Sequence, residues 1–348
     1  MSFSVGIVGL PNVGKSTLFK ALTKNKVDIA SYPFTTIHPN VGVVPVPDER
    51  LEKIAEIIKP EKITPTIIEF IDIAGLVRGA HKGEGLGNQF LSQIRNCDAI
   101  LEVVRVFEAP GVENVLGEIN PEEEIEIIKT ELLMKDLETL EGLLQKIEKE
   151  VKKNKKFLKK FEFLKKIKGS VSRGKMIGDT NLDDKEKLEI RKYQFLTAKP
   201  IFYLLNLDEK SGYSKNGVES LIKHLAMNLK EEEEISELSE IEKKELQLES
   251  KLDQLILNCY NLLDLITFFT VAGLKETRAW TLKKGLKAVD ASKLVHTDFK
   301  EKFIKAEVLN WQKLIEAGNW HKAREMGWLK TVGRDYIVQD GQIIEFKI

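Results

Sequence analysis

The stretch Ser4-Val5-Gly6-Ile7-Val8-Gly9-Leu10-Pro11-Asn12-Val13-Gly14-Lys15-Ser16-Thr17 carries the strongest fold signal in this chain. An apolar run ends at Gly9, four residues lead to Gly14, and Lys15-Ser16 follow. A helical pattern then opens with Leu18, Phe19, Ala21 and Leu22. Strand, glycine loop and helix in this order make a P-loop. Backbone N–H groups of such a loop converge on phosphates at a helix N-terminus. Lys15 brings a point charge to the β- and γ-phosphates, and the Ser16 hydroxyl is a ligand for Mg²⁺. Asn12, Val13, Gly14, Lys15, Ser16 and Thr17 are therefore the candidate phosphate-binding residues, with Lys15 also a catalytic candidate. A chance strand-to-helix turn would lack these correct flanks.

Further strand candidates are Val41–Val46, Ile67–Ile73 (with Asp72 at its end), Ala99–Val106 and Ile201–Leu205, which leads to Asn206. Strands alternating with helical segments after a P-loop predict a mostly parallel α/β sheet. Functional residues of such sheets sit beyond the strand C-termini, where Gly9, Asp72 and Asn206 fall. In Tyr32–Asn40, Thr36 is the candidate that completes the Mg²⁺ shell, with Thr35 as its neighbour in competition. Asp72-Ile73-Ala74-Gly75 adds a carboxylate that can hold Mg²⁺ through water. The Gly75 N–H can reach a γ-phosphate because no side chain blocks it. The next residue is Leu76, where many GTPases have a Gln that orients water. His81 lies in the same glycine-rich loop and reads as a solvated histidine before a catalytic one. Asn206-Leu207-Asp208-Glu209 occupies the base-recognition place. Guanine-specific proteins have Asn-Lys-x-Asp there, so Leu207 and Glu209 weaken the case for guanine.

The chain has 348 residues, 42% of them apolar and 31% charged, with a formal net charge of zero. These values describe a globular protein with no global field that draws it to nucleic acid or membrane. Cys97 and Cys259 have no metal-ligand spacing and are expected as two buried thiols in a reducing cytoplasm. Neither secretion nor membrane insertion is expected, and the predicted localisation is cytoplasmic.

From Pro121 to about Thr197 the sheet pattern gives way to helix, with Ile125, Ile128, Leu132, Leu133, Leu137, Leu140 and Leu144 at helical spacing. A break at Gly169–Gly178 and a returning helix over Leu182–Leu196 predict a long antiparallel helical arm. The last region, from about Asp264, has short strand candidates at Leu265–Val271, Tyr336–Val338 and Ile343–Ile348. Helical material is expected at Asp298–Glu307 and Trp311–Glu316. This predicts a small α+β domain. The expected domains are 1–120 with 199–262, 121–198, and 263–348. Glu231–Glu234 reads as a solvated helix face. Trp280, Trp311, Trp320 and Trp328 read as core and interface packing. His296 reads as part of a local polar turn.

These motifs together resemble the YchF/Obg-like ATPase family. The resemblance is carried by Gly6–Thr17, Tyr32–Asn40, Val46-Pro47-Asp48-Glu49-Arg50, Phe70–Phe90, Pro121–Glu138, Asn206–Glu209, Arg278–Thr281, His296–Phe299 and Asp335–Gly341. It implies a P-loop NTPase domain, an inserted coiled-coil arm and a ubiquitin-like TGS (β-grasp) domain. It implies preference for ATP over GTP, Mg²⁺-dependent hydrolysis to ADP, and binding to the ribosome or its large subunit. A hydrophobic residue replaces the catalytic Gln in this family, as Leu76 does here. Asn12 resembles the asparagine that coordinates K⁺ in cation-activated relatives, which adds K⁺ as a candidate activating cation. Bacterial members carry a His after Arg-x-Phe-Glu; here the aligned residue is Asn114, a catalytic candidate that can orient water but cannot take its proton. The family's Cys/Ser-Ala-like segment that closes the base pocket is not recognisable here, where the equivalent region reads Leu225-Ala-Met-Asn-Leu-Lys230.

Between Val151 and Lys175 there are eleven Lys or Arg and one acidic residue, Glu162. This basic segment, expected at the arm tip with Phe157, Phe161 and Phe163 interleaved, is the candidate rRNA contact. Its bland reading is a solvated surface with the Phe residues in a seam. The rival functions are a GTPase of the same fold and a nucleotide-gated RNA- or ribosome-binding module with negligible hydrolysis. No DNA or membrane partner is expected.

Overall fold

The computed structural model describes residues 3–24, 32, 38–73, 75, 86–109, 111–208 and 224–348. The chain begins β1 (Phe3–Val8), α1 (Lys15–Thr23), β2 (Val41–Pro45), α2 (Glu49–Ile58), β3 (Lys62–Thr64), β4 (Ile67–Asp72), α3 (Leu86–Asn96) and β5 (Ala99–Arg105). After an excursion it returns as β6 (Ile201–Asn206) and β7 (His224–Met227). Six strands form one sheet in the order β2-β4-β1-β5-β6-β7. Only β2 runs antiparallel to its neighbour; the other pairs are parallel. Every residue of β5 is buried, as a central parallel strand covered on both faces requires.

The excursion is the arm: α4 (Pro121–Lys153), α5 (Leu158–Val171) and α6 (Asp184–Arg191). Here the expected layout is corrected. The arm turns at 154–157, not at Gly169–Gly178, and the returning helix is α5, not Leu182–Leu196. Asn154 makes the turn: its N–H closes α4 onto Glu150 O, and its side chain accepts from Lys156 N–H to start the next turn. This double capping is available to Asn and not to the surrounding lysines. Leu140, Ile147, Leu164, Ile167 and Val171 then form the buried seam. The base of the arm is held by Asp136, fully buried, whose carboxylate accepts from Leu196 N, Thr197 N and Thr197 Oγ1 at 2.7–2.9 Å.

The chain continues with α7 (Leu229–Glu237), α8 (Glu240–Glu245) and α9 (Leu252–Leu262). The second sheet comprises β8 (Leu265–Ala272), β9 (Glu276–Lys283), β10 (Lys305–Asn310), β11 (Lys330–Val332) and β12 (Gln342–Lys347), joined by β3. Its order is β11-β10-β12-β8-β9-β3, with β8 and β12 parallel at the centre, and helix α10 (Ala288–Val295) follows the first hairpin. Hairpin, helix and a last strand inserted beside the first make a ubiquitin-like β-grasp. Three expectations change here. Residues 276–283 and 305–310 are strands that alternation did not reveal. Tyr336–Val338 contributes only the isolated bridge Lys287–Ile337. The helix expected over Asp298–Glu307 is one short turn, Phe299–Lys302.

The two sheets are sewn together by α2 and β3. Leu51 and Ile54 of α2 share a core with Trp311, Trp320 and Trp328. Arg50 reads both sides: it is bidentate to Asp48 at 2.8 Å and donates to Asp340 Oδ2 at 2.5 Å. Thr64 of β3 pairs with Arg278 of β9, and its hydroxyl donates to Glu276. His296 accepts the Asp298 N–H, the polar turn read from sequence. The acidic run differs: Glu232 is buried and receives the Ser250 hydroxyl and the Lys251 N–H. Cys97 and Cys259 are both buried free thiols. Among the described residues no helix is long and apolar enough to cross a membrane.

Candidate nucleotide site

The loop between β1 and α1 takes its shape from three residues of positive φ, Gly9 at 154°, Asn12 at 64° and Gly14 at 109°. A side chain at Gly14 is excluded twice, by its backbone and because a Cβ would stand 2.5 Å from Asn206 Nδ2. Lys15 begins α1, and its buried Nζ donates to Leu10 O at 2.7 Å and Gly9 O at 3.2 Å. These carbonyls hold the ammonium inside the loop where phosphates would sit. Burial pushes the Lys15 amine down to about 8, against the pull of Asp72 and Glu124.

Asp72 ends β4 across the loop. Burial raises its carboxyl, while Lys15 and a hydrogen bond with the Ser16 hydroxyl lower it. Ser16 and Asp72 therefore stand together with the chemistry a divalent cation takes, one hydroxyl and one carboxylate. Gly75 lies against the same lysine, since a Cβ there would be 3.1 Å from Lys15 Nζ.

Asn206, at the end of β6, is buried. It donates to Val13 O at 3.0 Å and accepts from Leu229 N at 3.1 Å. Both ends of the amide are thus committed to joining the P-loop, β6 and α7. Leu207 follows, tied to β7 through Met227 O, and lines the cleft. The cleft holds about 790 Å³. Its walls are the P-loop residues, Phe107–Ala109 and Val112, Asn206–Asp208, and Asn228–Lys230. The Leu225–Lys230 segment lines the cleft through its last three residues. Asn228 caps α7, accepting from Lys230 N and Glu231 N.

Phe107, Glu108 and Asn228 carry no sequence signal of their own. The run Arg105-Val-Phe-Glu108 is legible only as a landmark. Its role comes from Arg105, whose guanidinium holds the loop over the cleft. Asn12 Nδ2 donates to Glu113 O in that loop at 3.3 Å. Asn114 spends its amide locally: Nδ2 donates to Glu118 O at 2.7 Å, and Oδ1 accepts from Leu116 N at 2.9 Å. Thr35, Thr36, Leu76, His81 and Glu209 lie outside the described residues.

The basic arm segment resolves into two parts. Lys152, Lys160, Lys166 and Lys168 pair with Glu148, Glu189, Glu186 and Glu141. Phe157, Phe161 and Phe163 pack against the arm's own seam, the blander of the two readings.

The chain is 42% identical to "Ribosome-binding ATPase YchF" of Bacillus subtilis, over 100% of this chain and 99% of that protein. It is 45% identical to the protein of the same name from Haemophilus influenzae, with the same coverage. This chain belongs to the YchF family. Its residues 265–348 match the family YchF-GTPase_C, described as a protein of unknown function. Residues 4–160 match a family described as 50S ribosome-binding GTPase. The solved structure of the Schizosaccharomyces pombe YchF GTPase superposes with a TM-score of 0.88 at 34% identity, covering 99% of this chain and 98% of that one. The YchF fold thus accounts for the nucleotide sheet, the arm and the β-grasp sheet together.

Proposed function

We propose that this chain is a ribosome-binding ATPase that hydrolyses ATP to ADP with Mg²⁺. The observation that carries the reading is the Lys15–Ser16–Asp72 cluster at one end of a cleft whose other end presents Leu207. A phosphate chain laid along the loop would draw Lys15 off its backbone carbonyls. Ser16 and Asp72 would hold Mg²⁺, with Thr36 completing the shell, and the ion would neutralise charge on the β- and γ-oxygens. Gly75 N–H would meet the γ-phosphate. Asn12 spends its amide N–H on Glu113, which leaves its amide oxygen for K⁺. Leu207 offers an apolar face to a purine, with Glu209 following in the base-recognition motif in place of the guanine-reading Asp.

Ribosome binding is supported by the names of the curated relatives. The arm contributes the basic residues 151–175 as the rRNA contact, at the tip and along α5. Such binding would weaken steeply with salt. The cytoplasm follows from a ribosomal partner.

A second reading is favoured by Asn114. With both amide atoms engaged in its own loop, it is poorly placed to orient water until that loop opens. A nucleotide-gated ribosome-binding module with slow intrinsic hydrolysis then results.

Equilibrium binding of fluorescent ATP and GTP analogues with Mg²⁺, with Lys15→Ala as control, tests the nucleotide reading. ATP bound at least about tenfold tighter, roughly 1.4 kcal/mol, supports an adenine-selective site. Equal binding reduces the activity to that of an unselective NTPase, and a large GTP preference overturns the ATPase reading. Turnover that is slow and unchanged by ribosomes or K⁺, with ATP binding intact, favours the gated module.

A further inference from the structure

The arm helix is fastened to the wall of the nucleotide cleft through two buried ionisable residues. Glu124 lies in the first turn of α4 and is 2% exposed. Its Oε2 accepts the backbone N–H of Arg105 at 3.0 Å. Arg105 ends β5 and is 4% exposed. All three of its guanidinium nitrogens donate to backbone carbonyls of one loop: Nε to Phe107 at 3.2 Å, Nη2 to Val112 at 3.3 Å, Nη1 to Glu113 at 3.2 Å. The guanidinium carbon also sits 4.6 Å from the Phe107 ring centroid.

Those carbonyls belong to the loop that walls the cleft. Phe107, Glu108, Ala109 and Val112 line it. The wall is then tied to the other two walls. Glu113 O accepts from Asn12 of the P-loop as well as from Arg105, and Glu108 N donates to Asp208 Oδ2 at 3.1 Å. A planar fork with five N–H donors can satisfy three carbonyls at once; a lysine ammonium cannot match that geometry. Burying a guanidinium is expensive, and an apolar residue would fill the space at lower cost. The arrangement makes sense when the loop's position matters.

We propose that Arg105 is a positioning residue for the nucleotide cleft, and that Glu124 makes the wall of residues 107–109 and 111–113 answer to the position of the arm's first turn. A shift of α4 would pull on the Arg105 backbone, move the carbonyl cradle, and alter how Phe107 and Asn12 meet a nucleotide. The inference rests on the nucleotide-binding reading and extends it to a route between arm and cleft.

The test uses the full chain and the fluorescent ATP analogue with Mg²⁺. Arg105→Ala weakens binding about tenfold and raises KM by the same factor, with kcat at saturation within about twofold, the pattern of lost uniform binding. Arg105→Lys falls between it and the unmodified chain. Glu124→Ala weakens binding about fivefold, and the double variant is no weaker than Arg105→Ala alone, because both act on one wall. In Glu124→Ala, amide hydrogen exchange accelerates at residues 107–109 and 111–113 as well as in the first turn of α4. Unchanged affinity in Arg105→Ala, affinity losses that multiply in the double variant, or exchange confined to α4 would each overturn the proposal. If Arg105→Ala does not fold, Arg105→Lys binding ATP as tightly as the unmodified chain is the overturning result. An unmodified chain that binds neither ATP nor GTP instead defeats the nucleotide reading, so the two failures are distinguishable.

Discussion

Gly14 and Asn206 are packed so closely that a Cβ on Gly14 would lie 2.5 Å from the Asn206 amide nitrogen. The loop before α1 and the end of β6, nearly two hundred residues apart in sequence, therefore share one contact surface. Gly14→Ala strains a backbone at φ 109° and displaces the amide that bonds Val13 O. The expected result is an unfolding free energy lower by roughly 1–2 kcal/mol and ATP binding weaker by at least about tenfold. Urea denaturation and titration with the fluorescent analogue measure the two effects. Full-strength binding in this variant would mean the loop does not need the Gly14–Asn206 contact.

Lys15 predicts a proton linkage. Its amine is held down to about 8, chiefly by burial in the cleft. A bound polyphosphate favours the ammonium and pushes that value back up. ATP binding at pH 8 should therefore take up roughly half a proton, falling toward zero below about pH 7. Calorimetry in buffers of different ionisation enthalpy reads the uptake directly. Proton release at pH 8 would contradict it.

Glu124 sets a pH dependence of stability. Burial pushes its carboxyl up to about 7 from 4.5, although the Arg105 N–H, the Arg105 charge and Lys15 pull the other way. Between those two values the folded chain keeps a proton that the unfolded chain has released. Stability from this group is therefore lost as pH rises from about 4.5 to about 7, and is level above. Glu124→Gln removes the titration. Its unfolding free energy, relative to the unmodified chain, should rise by up to about 3 kcal/mol between pH 4.5 and pH 8. Urea denaturation at the two values decides, and a difference that falls with pH would refute the assignment.

Arg50 should hold the β-grasp sheet to the nucleotide sheet. Its guanidinium bridges Asp48 and Asp340, and Asp340 Oδ1 in turn accepts the Thr267 N–H of β8. Removing it leaves two carboxylates facing each other with no cation between them. Because Asp340 is half exposed and water screens its share, Arg50→Ala should cost roughly 1–2 kcal/mol, and amide exchange should accelerate at the start of β8. ATP affinity should change little, because Arg50 lies outside the cleft. Unaltered exchange at Thr267 would mean the Leu51, Ile54 and Trp311 core alone fixes the junction.

The P-loop, the Asp72 and Asn206 strand ends and the helical character of the arm are legible because each rests on short-range pattern. A strand, a glycine turn and a helix start are written within one window, and their chemistry follows from residue type. The arm's turn is misplaced when glycine is given more weight than capping: Asn154, among lysines, ends one helix and opens the next. Strands β9 and β10 alternate only over short stretches, such as Lys305-Ala306-Glu307-Val308, and their charged residues leave the choice to their partners in the sheet.

The phosphate loop, the candidate cation ligands and the family could all be read from the linear chain, because local geometry and residue chemistry are properties of a contiguous stretch. That Asn206 braces the P-loop and α7 with both ends of its amide emerged only from the folded molecule. So did the shaping of the cleft wall by Arg105, the tie from that wall to the arm through Glu124, and the completion of the distant β-grasp sheet by β3. Those contacts join residues far apart in the chain, and a buried polar group takes its role from the partners that folding brings to it.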